Sequence, residues 1–209
     1  MATPGSIVSI DPSGTTGKVA VSGTNEKIAI NDPKLPGTGL KVGDACSFVV
    51  EYDSTTGDYY ADQFAVLPTG KPQTITAPYS GPDLTANLGD TITITAKGSS
   101  DPSVTCNVTI NGGIVIVDGG AVLAGSVNVG GGIVEVKGMG QVKGSISINT
   151  GGSLKVVKMG NVSGTVHAGQ AGRIMVGNTE GAGTINGTID VKGGLRGLQV
   201  CPNSQIISK

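Results

Sequence analysis

A seven-residue phrase recurs through the second half of this chain and limits its fold more than any other feature: aliphatic, any residue, small, hydroxyl, aliphatic, polar, aliphatic. It reads Leu123-Ala124-Gly125-Ser126-Val127-Asn128-Val129, then Val142-Lys143-Gly144-Ser145-Ile146-Ser147-Ile148, Val162-Ser163-Gly164-Thr165-Val166-His167-Ala168 and Ile185-Asn186-Gly187-Thr188-Ile189-Asp190-Val191. A weaker copy with Cys106 in the glycine column starts at Val104. The starts at 104, 123, 142, 162 and 185 are 19, 19, 20 and 23 residues apart. A period of this length signals a solenoid, whose units bury their apolar faces only by stacking on one another.

A second column aligns beside the first: Ile92-Thr93-Ile94, Val115-Ile116-Val117, Val134-Glu135-Val136, Leu154-Lys155-Val156, Ile174-Met175-Val176 and Leu198-Gln199-Val200. Two aliphatics flank one outward residue each time, as a strand with one buried face requires. Aliphatics recur at six-residue steps from Val117 to Leu123 to Val129, so three sides of about six residues close a triangular coil. The pairs Gly112-Gly113, Gly131-Gly132, Gly151-Gly152 and Gly193-Gly194 fall at one corner, where the backbone turns sharply. About six rungs spaced by roughly 4.8 Å make a rod on the order of 30 Å long. The last 130 residues contain no aromatic, as a narrow lumen filled with Val, Ile and Leu demands.

The chain before this region has another character. Five β-rich runs, 6–10, 18–21, 27–30, 45–52 and 59–67, are separated by turn sequences such as Asp11-Pro12-Ser13-Gly14 and Asp53-Ser54-Thr55-Thr56-Gly57. Short strands with polar turns and no helical period predict a small barrel over 1–67. Residues 68–82 carry four prolines and two glycines and read as a stiff spacer that includes one short strand, Gln73 to Thr76. The solenoid is expected over 83–209, with its first rung at Thr91 to Ile94. The fold class is therefore all-β: a five-stranded barrel followed by a triangular β-helix.

Charge divides the same way, with four Lys against eight acids up to residue 67 and ten Lys plus Arg against seven acids after it. Neither part forms the basic stripe that neutralises phosphates, so no nucleic-acid partner is expected. Cys46, Cys106 and Cys201 are odd in number and widely separated, which argues against a disulfide framework and a zinc site. No cofactor or metal is expected. With no basic leader and no run of 18 apolar residues, the chain is expected to be made in the cytoplasm without membrane insertion, an origin compatible with later incorporation in a virion or injection particle.

Gly5-Ser6-Ile7-Val8, Gly39-Leu40-Lys41-Val42-Gly43-Asp44, Ser47-Phe48-Val49-Val50-Glu51 and Tyr59-Tyr60-Ala61-Asp62-Gln63-Phe64-Ala65-Val66 follow one another as in the cold-shock domain, which residues 5–67 resemble. The resemblance implies a five-stranded OB barrel. That family stacks bases on aromatics of its second and third strands; the corresponding stretches here, Thr16 to Val21 and Lys27 to Ile30, have none. The aliphatic-x-Gly phrases over 90–209 resemble the bactofilins, which implies a cytoskeletal polymer. The order barrel then β-helix is also similar to phage and injection-machine spikes, which are trimers wound from three chains.

The side chains open to chemistry are few. His167 is the only histidine, and its aligned neighbours Thr109, Asn128, Ser147 and Asp190 put it in an outward polar column. The six-residue step is shared with hexapeptide acyltransferases, but the position four after each corner runs Ala121, Val127, Ile133, Gly140, Ile146 rather than staying small. No paired carboxylates converge for glycoside cleavage, and nothing near the Ser126, Ser145, Thr165, Thr188 ladder activates a hydroxyl. The expectation is a non-enzymatic structural protein that self-associates as a trimer or an end-to-end polymer. Its association end is expected at Leu198, Val200, Ile206 and Ile207, where no cap follows, while the barrel and spacer cover the first rung. Residues 1–67 would dock on a larger protein assembly, with Tyr59 and Tyr60 as the contact. Two alternatives stand beside this: a module binding single-stranded nucleic acid or carbohydrate, and an acyltransferase using His167.

Overall fold

A computed structural model gives the fold of the chain and describes residues 2–22, 24, 26–149, 151–169, 171–179, 181–192 and 197–207. The corner expected at Gly193-Gly194 lies outside the described residues.

Strands β1 (Ala2–Ile10), β2 (Thr16–Val21), β3 (Lys27–Asn31), β4 (Ala45–Asp53) and β5 (Asp58–Val66) close a barrel in the order β1-β2-β3-β5-β4. β3 and β5 run parallel and the other pairs antiparallel, so the barrel is OB-like. Period-two alternation does the sorting: in β3, Ile28 and Ile30 are buried while Lys27, Ala29 and Asn31 face solvent. Phe48 and Phe64 stack inside with ring centroids 5.5 Å apart. A short 3-10 helix, Leu35–Thr38, follows β3. The buried Asp32 before it is satisfied by backbone amides, Phe64 N at 3.0 Å and Lys34 N at 2.8 Å, which offsets the cost of removing a carboxylate from water.

The rest of the chain winds into three parallel sheets. The first holds β6 (Pro72–Thr76), β8 (Thr91–Thr95), β11 (Ile114–Asp118), β14 (Gly132–Val136), β17 (Gly152–Val156), β20 (Arg173–Val176) and β23 (Gly197–Val200). The second holds β7 (Leu84–Asn87), β10 (Val108–Asn111), β13 (Val127–Val129), β16 (Ile146–Ile148), β19 (Val166–Ala168) and β22 (Ile189–Val191). The third holds β9 (Ser103–Val104), β12 (Val122–Leu123), β15 (Gln141–Val142), β18 (Asn161–Val162), β21 (Thr184–Asn186) and β24 (Gln205–Ile207). The strand registers reproduce the sequence columns, Ile92 over Val115, Val134, Leu154, Ile174 and Leu198, and Val104 over Leu123, Val142, Val162, Ile185 and Ile206. From Ile92 to Ile174 and from Val104 to Ile185 these aliphatics belong to one continuous buried cluster, with Ile206 packed at its edge and Leu198 outside it.

The glycine of the recurring phrase has a steric cause. A Cβ on Gly144 would overlap the carbonyl oxygen of Gly125, one on Gly164 that of Gly144, and one on Gly187 that of Gly164. At this corner the backbones of successive rungs come together without room for a side chain, which is why the column is glycine.

Two sequence expectations change here. β6 lies inside the segment expected as spacer, yet it pairs in parallel with β8, so the solenoid starts one rung before Thr91. Ile75 points inward with the same alternation as its successors, while Pro72, Gln73, Thr74 and Thr76 are exposed. The barrel, expected over the first rung, docks instead on the flank of the solenoid.

That docking closes the barrel's own core. Ile133 and Ala171 belong to the same buried cluster as Phe48, Val19 and Ile28, with Ile114 packed at its edge. Ile114 and Ile133 stand in the outward column of the first sheet, where a free-standing rod would carry polar residues. The Thr3 hydroxyl donates to the Gly151 carbonyl at 3.1 Å, and Arg173 Nη1 meets Glu26 Oε1 at 2.8 Å. Further along the same sheet, Lys155 Nζ lies 3.1 Å from Glu135 Oε1, and both side chains are buried. Burying apolar residues on both sides and pairing Arg173 with Glu26 makes this a folded interface, not a loose tether.

Candidate functional site

The two ends of the solenoid differ. At the first rung, Ile75, Ala77, Leu84 and Ala86 are buried. Tyr79 bridges to Val104 in the third sheet and packs against the aliphatic core. Its hydroxyl donates to the Pro82 carbonyl at 3.0 Å, and its ring lies so close to Gly81 that any Cβ there would collide with it. The one aromatic after the barrel therefore packs against the core at the first rung, in the column that Val104 and Leu123 continue. Pro72, which has no N–H to offer, stands on the outer edge strand.

At the last rung the columns run out into solvent. Leu198 is 52% exposed, Val200 45% and Val191 43%, although their partners on the preceding rung, Ile174, Val176 and Ala168, are buried. Ile189 and Ile206 are half-buried against the core. Among the described residues, β22, β23 and β24 each pair along one edge only. Such an end combines apolar side chains with unpaired backbone groups, the two ingredients of strand addition.

Of the four residues expected at this end, Leu198, Val200 and Ile206 stand in the core columns. Ile207 does not: it pairs with Asn186, one position past the column, and faces outward. The alternation that makes Ile206 inward makes its neighbour outward.

The barrel residues separate as an adjacent pair on a strand must. Tyr59 packs at the edge of the barrel core and against Tyr52, with ring centroids 5.0 Å apart, whereas Tyr60 is half-exposed. The outer surface of β2 and β3 presents Lys18, Lys27, Ala29 and Asn31.

His167 is half-exposed in the outward column of the second sheet, between Ser147 and Asp190. Its Nδ1 lies 3.2 Å from Asp190 Oδ2. Ser126 and Ser145 hydroxyls are 3.4 Å apart, which extends the stack of small polar groups expected from the phrase. Burial pushes the Cys46 thiol up to about 12 and raises that of Cys106, so neither carries the thiolate of a nucleophile. Among the described residues, no three His, Cys, Asp or Glu side chains group in a way that could hold a metal ion, and no helix is long and apolar enough to cross a membrane.

No protein-family model, curated protein or solved structure matches the chain.

Sequence reasoning missed the contact between barrel and solenoid, made by Thr3, Glu26, Ile133, Ala171 and Arg173. One signal was present: Ile114 and Ile133 are aliphatics in an outward column, each following a corner glycine pair.

Proposed function

We propose that this chain is a non-enzymatic structural protein whose solenoid associates with another copy through its last rung. The observation that carries the reading is the contrast between the ends: buried Ile75, Ala77, Leu84 and Ala86 at one, exposed Leu198, Val200 and Val191 at the other. Continuing the three sheets across a junction would bury those aliphatics and satisfy the outer backbone edges together.

The bactofilin-like reading, association of completed rods, is favoured over an intertwined trimer. Each described rung pairs in register with the next along the same chain. In this reading the barrel, anchored to the flank, keeps Tyr52, Tyr60 and Val66 toward a partner assembly.

Light scattering and sedimentation of the full chain test this. The wild type is expected to associate in a concentration-dependent way, and Val200→Asp to remain monomeric with unchanged unfolding, since Val200 is already half-exposed. An SDS-resistant trimer would transfer the reading to a spike. A wild type that stays monomeric at all concentrations, or a Val200→Asp variant that assembles normally, would overturn it.

A further inference from the structure

Arg173 touches both the barrel and the last rung. It stands at the start of β20, in the outward column beneath the barrel, and its side chain is only 14% exposed. Nη1 lies 2.8 Å from Glu26 Oε1, beside the β2–β3 turn. Nη2 donates to Gln199 Oε1 at 3.1 Å, on β23. Among the described residues Nε has no hydrogen-bond partner, so these two contacts fix the guanidinium.

A guanidinium is a rigid planar fork, and its nitrogens cannot move independently. The orientation that satisfies Glu26 is the one that presents Nη2 to Gln199. Glu26 belongs to the barrel, and Gln199 is central in a strand that pairs along one edge only. A strand with one paired edge depends more on side-chain contacts than an interior strand, because half its ladder is missing.

We propose that Arg173 couples the docking of the barrel to the order of the last rung, so that a partner drawing the barrel away loosens β23. Free energy shared in this way is reciprocal: what disturbs β23 also weakens the seat of the barrel. Taken with the proposed function, on which this consequence rests, the barrel regulates the end through which copies associate. Release of the barrel frays that end and opposes assembly, and joining two ends tightens the barrel.

Hydrogen exchange on the full-length monomer at low concentration tests the coupling separately from assembly. Glu26→Gln keeps the side-chain shape and removes the charge. It is expected to speed exchange of the β23 amides by roughly fivefold or more, while β14 and β17, interior to the same sheet, keep their protection. Gln199→Ala is expected to speed exchange around the β2–β3 turn. In a Gln199→Ala background, Glu26→Gln should add little at β23, because the route through Arg173 is already cut. Lys27→Gln, a charge change at an exposed neighbour of Glu26, should leave β23 unaltered.

Unchanged exchange at β23 in Glu26→Gln, or additive effects in the double variant, would overturn the coupling. Loss of protection at β14 and β17 would do so too, since it reports general loosening. Should the coupling hold while sedimentation finds the wild type monomeric, the association reading alone falls.

Discussion

Replacing Gly144 by alanine tests the packing rule that generates the whole solenoid. The new methyl would lie inside the van der Waals envelope of the Gly125 carbonyl, with Ala124 O also close. Both are backbone atoms, so no side chain can rotate aside, and the rungs must part by about 1 Å before contact is acceptable. That motion stretches Lys143 N to Leu123 O, now 2.8 Å, and Val127 N to Ser145 O, also 2.8 Å. At roughly 0.5–1.5 kcal/mol per hydrogen bond, plus lost apolar contact beside Leu123 and Val142, the cost comes to about 3 kcal/mol. Gly37→Ala is the control: it lies in the 3-10 helix, its added Cβ meets nothing within 4 Å, and it has no left-handed φ. The control should be neutral or slightly stabilising through the unfolded chain. Urea unfolding followed by far-UV circular dichroism reads both variants. Should Gly144→Ala unfold within about 0.5 kcal/mol of Gly37→Ala, the glycine column is not steric and the account of the repeat is wrong.

Three further outcomes follow from named contacts. Tyr79→Ala removes the ring that packs against the core at the first rung; about 2 kcal/mol of stability should be lost, less than for a fully buried aromatic, and unchanged urea unfolding would show that the ring contributes no packing there. The hydroxyls of Thr16 and then Ser13 hold the Asp11 carboxyl at about 2, below its ordinary 3.8. A depressed folded-state value means that its stabilisation is present above 3.8 and lost as pH falls through about 2. The barrel of Asp11→Ala should therefore be weaker than wild type near neutrality, with the gap closing on acidification; a gap that persists at the lowest pH assigns the effect to something other than the carboxylate. A thiol reagent applied to the folded protein should modify the half-exposed Cys201 first and reach the buried Cys46 and Cys106 only on unfolding, a pattern that mass spectrometry of labelled peptides checks.

Much of the fold is legible in the residues because a β-solenoid is close to a one-dimensional object. Each rung contacts mainly its neighbours, so the inward column Val104, Leu123, Val142, Val162, Ile185 is already an alignment of contacts. The glycine at the third place of the phrase recurs because one carbonyl recurs beneath it. Barrel strands were readable for a related reason, since alternation and turn residues delimit each of them locally. β6 is legible as a strand but not as a rung: its edge position tolerates Pro72 and exposes Gln73 where later rungs carry proline-free strands and an aliphatic, so its surroundings read as a spacer.

The residues alone carry the repeat, the inward and outward faces of the rungs from Thr91 onward, and the aliphatic character of Leu198, Val200 and Ile206. Where the barrel goes is set only in three dimensions. Its seat on the flank depends on Thr3 reaching Gly151, Glu26 reaching Arg173, and Ile133 and Ala171 completing a core that begins at Phe48. The partners in those contacts are about 85 to 148 residues apart, and none shares a period with the other. A repeat carries its contacts in its spacing; a single docking of two bodies carries them only in three dimensions.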